Sequence, residues 1–195
     1  MDYKIGRISA IVNVASVLGF ALAMLFGFDA GGYFTSMFIA FSFVPMVCAI
    51  AKKGRGDAKV AGGAAMIFAG VYATFILIIY FAQLTTVRLE ELTQQATAIL
   101  DYQAFGLFFN LNLLGYGIMA LSTFFVGLTI VDNKPLKFML VFHGIFFISG
   151  IIIPMLGIFG AMEGDGGHFI GTLVLLVWCA YFAPVGVLAF RYLKK

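Results

Sequence analysis

With 63% hydrophobic and 11% charged residues in a chain of 195, and a mean hydropathy of +1.06, this sequence cannot cover a water-soluble surface. Its formal charge of +3 comes from short flanking clusters rather than a basic face. Nucleic acid is therefore excluded as a partner, and the lipid bilayer is the first partner implied.

Six apolar runs follow one another at approximately 8–28, 33–51, 60–82, 104–131, 136–160 and 168–190. At about 1.5 Å of rise per residue, each crosses a hydrocarbon core roughly 30 Å thick. Backbone polar groups in lipid must pair within their own segment, so the runs are helices, and their lack of alternation excludes a β-barrel. The expected fold class is an all-α integral membrane protein: six transmembrane helices forming a single domain over 1–195. Lys4 and Arg7 precede the first run, and Lys52, Lys53, Arg55 and Lys59 lie between the second and third. Lys134 and Lys137 lie between the fourth and fifth, and Arg191, Lys194 and Lys195 follow the sixth. The other connections hold Arg88 among Asp29, Glu90, Glu91, Asp101, Glu163 and Asp165. Cationic flanks stay on the cytoplasmic side, which predicts a multi-pass protein of the cell (plasma or inner) membrane with both termini cytoplasmic. The first run exceeds a signal-peptide core and is followed by no clean small-x-small site, so a retained anchor is expected.

Span one carries Ala15, Gly19, Ala23 and Gly27 at intervals of four, a small-residue ladder that suits close helix packing, internal or against a protein partner. On span three, Tyr72, Ile76, Ile79 and Gln83 align, with Tyr80 at the edge. The connection from about Gln83 to Gln103 has Leu89, Leu92, Ala96, Ile99 and Leu100 at helical spacing. It predicts an amphipathic outer helix or helical extension near 86–101, either a lid or a plain solvated extension. On span four, Asn112, Tyr116, Met119 and Thr123 share a narrow arc. Two polar-aromatic stripes on adjacent helices suit a small polar or amphipathic ligand, and they equally suit interhelical hydrogen bonding. Span five places His143, Gly150, Pro154 and Gly157 on one face, with a kink expected at Pro154 that could hinge a gate. Span six contributes Trp178 and Pro184. Cys48 and Cys179 fall inside spans and are expected to be free thiols.

No Asp, Glu, Lys or Arg lies near the middle of any span, which argues against an ion-driven pump. No phosphate-binding Gly-x-x-x-x-Gly-Lys-Ser/Thr and no His-Glu-x-x-His occurs. The loop from Glu163 to His168 holds three potential ligands but follows no fixed metal pattern, and a Gly-rich turn explains it as well. No metal, cofactor or catalysis is expected.

The stretches Tyr80–Arg88 (YFAQLTTVR) and Leu114–Ser122 (LGYGIMALS) resemble segments of uncharacterised six-span prokaryotic membrane proteins of about this size. That resemblance implies that Gln83, Arg88 and Tyr116 belong to one unit at the outer face, and it implies no activity. The outline is also similar to the substrate-capture subunits of energy-coupling factor transporters, small six-helix proteins whose first helix contacts a partner through small residues.

Two functions follow as expectations. In one, the chain binds a small organic or amphipathic solute in an outward-facing cavity, as a transporter component or receptor. Asn112, Tyr116, Gln83, Tyr80 and His168 would line the site, with Arg88 at its mouth. In the other, it is a non-catalytic assembly subunit that meets a protein partner, or a second copy, through Ala15, Gly19, Ala23 and Gly27.

Overall fold

The computed structural model describes residues 1–54, 58–157 and 165–194, with backbone only for 165–170. Six helical stretches within it are long and apolar enough to cross a membrane. They are built from α1 (Asp2–Leu25), α2 (Asp29–Lys53), α3 (Lys59–Ala82), α5 (Leu107–Leu128), the pair α6 (Lys134–His143) and α7 (Phe146–Met155), and α8 (Asp165–Lys194). A short α4 (Gln94–Leu100) lies in the connection between α3 and α5. The helices pack in a ring: α8 on α1, α1 on α2, α2 on α3, α3 on α5, and α5 on α6 and α7, with α6 touching α8. Cys48 and Cys179 are unpaired.

Six crossings bring the two termini to one face, here the terminal face. Lys52 pairs there with Asp2, while the Lys53 ammonium donates to the Tyr192 carbonyl at 2.7 Å and lies over the rings of Tyr3 and Tyr192. Three helix ends are thus tied together by two adjacent lysines. Deeper in the bundle, the buried Asn13 donates from Nδ2 to the Ile39 carbonyl at 3.3 Å and to the Ser42 hydroxyl at 3.1 Å, joining α1 to α2. The Ser122 hydroxyl donates to the Ala65 carbonyl at 2.8 Å and joins α5 to α3. Such contacts contribute roughly 0.6 kcal/mol each in a bilayer, so close packing must carry most of the stability.

The span-one ladder does not form one face. Four residues advance a helix by about 400°, so each step drifts by roughly 40° and three steps by a third of a turn. Ala15 is exposed, whereas Ala23 is buried beside Gly32 and Gly19 faces Thr35 of α2. Gly27 stands outside the helix at φ +62°. The Phe28 amide donates to the Ala23 carbonyl at 2.8 Å and the Gly27 amide to Met24 at 3.3 Å, the paired bonds of a Schellman turn. A left-handed residue there costs a side chain roughly 1–2 kcal/mol, so glycine terminates α1.

Span five is broken ahead of Pro154. The break lies at Gly144–Ile145, where amides bond three residues back instead of four (Gly144 to Val141, Ile145 to Phe142, Phe147 to Gly144). The break coincides with a close approach: a Cβ at Gly144 would stand 2.8 Å from the Phe124 Cβ of α5, so the missing side chain lets the two helices close at that level. Pro154 falls in the last turn of α7, which ends at Met155, with Gly157 at φ +63° two residues beyond; its missing amide takes the helical donor from the Gly150 carbonyl.

The connection after span three is not one helix over 86–101. α3 runs into a π-helical turn at Gln83–Val87 and stays helical through 89, a non-helical stretch follows over 90–93, and Gln94–Leu100 is α-helical again, capped by the Thr93 hydroxyl at 3.3 Å from the Ala96 amide. A single-turn 3-10 segment, Tyr102–Ala104, then leads into α5.

Candidate functional site

Two polar groups of side chains occupy the bundle interior. The one nearer the far face gathers Ser36 of α2, Tyr72 and Tyr80 of α3, Tyr102 of the connection, and Asn112 and Tyr116 of α5. Tyr80 is buried at 3% exposure and stacks on Tyr33 with ring centroids 5.5 Å apart; Tyr102 approaches both rings, at 6.2 and 6.0 Å. Tyr72 and Tyr116 meet at 5.7 Å. The Asn112 amide reaches the Tyr102 hydroxyl only at 3.5 Å. The Tyr80 hydroxyl lies within hydrogen-bonding reach of Tyr116, Ser36 and Asn112, and the Tyr72 hydroxyl within reach of Tyr116. Nevertheless Ser36 Oγ, Tyr72 OH, Asn112 Oδ1 and Tyr116 OH are all buried without one aligned hydrogen bond. Each such atom costs about 1–3 kcal/mol relative to a paired one, and native interiors hold few of them. Four in one cluster is an unusual concentration. Burial pushes the Tyr102 phenol well above its ordinary range, with the Tyr80 and Tyr33 hydroxyls adding to the effect and Asn112 opposing it, so Tyr102 stays a neutral donor.

A latch closes this cluster on the far side. Gln83, 3% exposed at the start of the π-helical turn, donates from Nε2 to the Leu100 carbonyl at 2.7 Å and accepts from the Tyr102 amide at 3.0 Å. Asp101 holds the next turn by accepting from the Gln103 amide at 2.9 Å. Gln83 therefore binds the connection instead of facing a solute. Gln83→Met should release it, and amide exchange over 94–104 should then speed about tenfold or more, the equivalent of roughly 1.4 kcal/mol of lost protection. Exchange unchanged at the Tyr102 amide would show that the latch holds nothing.

The second group is complete. Trp178 Nε1 donates to His143 Nε2 at 3.0 Å, and an indole nitrogen can only donate. Nε2 must then carry the lone pair and Nδ1 the proton, which goes to the Thr123 hydroxyl at 2.8 Å; Thr123 in turn donates to the Ala120 carbonyl at 2.8 Å. Every polar atom of this chain is used, and the histidine is held as one neutral tautomer between α5, α6 and α8. Trp178→Phe strips the donor from Nε2 and should lower stability by about 1–2 kcal/mol. In a double-mutant cycle with Thr123→Val, read by thermal denaturation in detergent, the losses should be coupled; simple additivity would break the chain into unrelated parts. Tyr116 bridges the two groups, its ring 5.5 Å from Trp178.

No protein-family model, curated protein or solved structure matches this chain.

The structure brings Tyr80, Asn112 and Tyr116 together and puts Gln83 beside them as the latch. Arg88 is exposed at the far face, a turn beyond Gln83. His168 lies in the first turn of α8, its side chain outside the described residues, and Glu163 and Gly164 of the same loop lie outside them altogether. Among the described residues no group of His, Cys, Asp and Glu could hold a metal ion. Sequence reasoning missed Ser36, Tyr33 and Tyr102. Tyr33 and Ser36 are spaced three apart, so one face of span two carried a polar signal; Tyr102 lies in a connection, where periodicity gives no orientation.

Proposed function

We propose that the chain is a membrane-embedded binding protein that takes a small uncharged or amphipathic solute into the Tyr80 cluster from the far face, as a transporter component or a receptor. The observation that carries this reading is the gathering of four buried polar atoms without an aligned hydrogen bond, Ser36 Oγ, Tyr72 OH, Asn112 Oδ1 and Tyr116 OH, in one cluster, three of them on residues within reach of the Tyr80 hydroxyl. Hydroxyls and an amide offer donors and acceptors to a polar group, while the rings of Tyr33, Tyr80 and Tyr102 offer an apolar wall. The cluster has no formal charge, which favours a neutral solute. Opening of the 83–104 connection, with Gln83 as its latch, gives the route in. The basic flanks favour the terminal face as the cytoplasmic one, which would put the far face outside the cell membrane. Catalysis is not part of the proposal: the cluster carries no carboxylate or thiol, and both nitrogens of His143 are engaged.

Native mass spectrometry of the protein purified from its own host tests this. A solute of defined mass should be retained by the parent and lost from the Asn112→Leu, Tyr116→Phe double variant. Equal retention by both would remove the site.

The assembly reading has less behind it, because α2 already occupies Gly19 and Ala23. A Cβ at Gly19 would stand 3.1 Å from Thr35 Cγ2, so Gly19→Leu should destabilise the monomer itself.

A further inference from the structure

The break in span five has a second consequence, at the lipid-facing surface of α6 and α7. Where the two short helices lean on α5 they leave an open groove of about 720 Å³, walled by Phe124, Val141, Phe142, Ile145 and Ile148 among others. Its size falls in the range of about 300–1,000 Å³ typical of small-molecule sites. The walls are almost wholly apolar, but its end at the terminal face is formed by Lys134 and Lys137. These two lysines are three residues apart in α6, so they share the helix face that continues through Phe138, Val141 and Ile145. Both are exposed, and neither has an ion-pair or hydrogen-bond partner among the described residues. From Lys137 to Ile148 is about 16 Å at helical rise, half of a hydrocarbon core of ~30 Å. The groove is thus one leaflet deep, apolar along its length and cationic at the headgroup level.

We propose that this groove holds one anionic glycerophospholipid, with its phosphate between Lys134 and Lys137 and one acyl chain laid along Val141, Ile145 and Ile148 past the break at Gly144. Charge complementarity selects the lipid over a partner helix: an apolar helix would bury the groove walls but leave two cations at its edge unanswered. A single exposed carboxylate, Asp132, lies at the neighbouring turn and makes no ion pair with either lysine. The site is separate from the Tyr80 cluster and does not depend on it.

The test is native mass spectrometry of delipidated protein offered equal amounts of phosphatidylglycerol and phosphatidylcholine with identical acyl chains in mixed detergent micelles. One phosphatidylglycerol should be retained at least fivefold over phosphatidylcholine. Lys134→Gln with Lys137→Gln should bring the ratio to near one, whereas Lys59→Gln with Lys194→Gln, on the same face, should leave it unchanged. Ile148→Trp, at an exposed position in the groove, should lower retention of both lipids. Equal retention by the parent, a preference that survives the loss of both groove lysines, or a dimer or second polypeptide in place of lipid would each overturn the proposal.

Discussion

Leucine in place of Gly150 should detach α7 from α5 and lower stability by about 2–3 kcal/mol, the cost of overpacking a tight interior. A Cβ at Gly150 would stand 2.8 Å from both the Gly117 Cα and the Leu113 carbonyl oxygen, and 2.9 Å from the Gly117 nitrogen. All three are backbone atoms, so no side chain can swing aside to make room. In lipid, helices gain nothing by hiding apolar surface from one another, and a backbone-to-backbone crossing of this kind supplies the dispersion contact that holds them. α7 needs it especially, since only 11% of the most apolar window of span five is buried inside the protein. The comparison variant is Gly70→Ala in α3, where an added Cβ meets nothing within 4 Å. There alanine should raise stability by about 0.5–1 kcal/mol through helix propensity alone. Thermal denaturation of both variants in one detergent decides the matter: a Gly150→Leu protein as stable as the parent would remove the α5–α7 crossing as a structural element.

Removing a hydroxyl from the Tyr80 cluster should act in the opposite sense. Tyr116→Phe and Tyr72→Phe keep their rings, and so their contacts with each other and with Trp178 and Phe43, while deleting buried oxygens that make no aligned hydrogen bond. Each should raise stability by about 1 kcal/mol, the lower end of the cost of an unsatisfied buried polar group. The same substitutions should weaken solute binding tenfold or more if those hydroxyls hold a ligand, since about 1.4 kcal/mol is a factor of ten. Stability rising while binding falls is the mark of a functional site kept at the expense of the fold. If both variants melt lower than the parent, the hydroxyls are paired in the native state and serve structure.

The spans were legible because lipid leaves the backbone few options: length, hydropathy and the absence of charge specify a crossing almost alone. Their boundaries in the structure differ by only a few residues from the apolar runs. Gly27 was legible too, but as something else: a glycine just past the last apolar turn of a helix is a termination signal before it is a ladder rung. The break at Gly144 coincides with a close approach to Phe124 of α5, a contact between helices that span five alone does not announce. Pro154 carried the stronger local signal, yet the helical bonding is interrupted ten residues earlier, and α7 runs on through Pro154 to Met155 before it ends. The site was half legible. Asn112 and Tyr116 showed themselves by sharing an arc of span four with the apolar Met119, and Tyr80 by its place near Gln83. Ser36 did not, because a single small hydroxyl in span two looks like any serine bonded back to its own helix, as Ser42 is to the Phe38 carbonyl at 2.7 Å. Asn13 escaped for a similar reason: its partners lie 26 and 29 residues away on α2, and nothing in span one announces them.

The central claim is that the Tyr80 cluster is a recognition site. The most direct measurement is a high-resolution density map of the host-purified protein around Ser36, Tyr72, Tyr80, Asn112 and Tyr116. The account predicts a bound non-lipid solute with at least two of the four unpaired atoms within hydrogen-bonding distance of it. Side chains that pair with one another around a filled interior, or isolated waters alone, would contradict it.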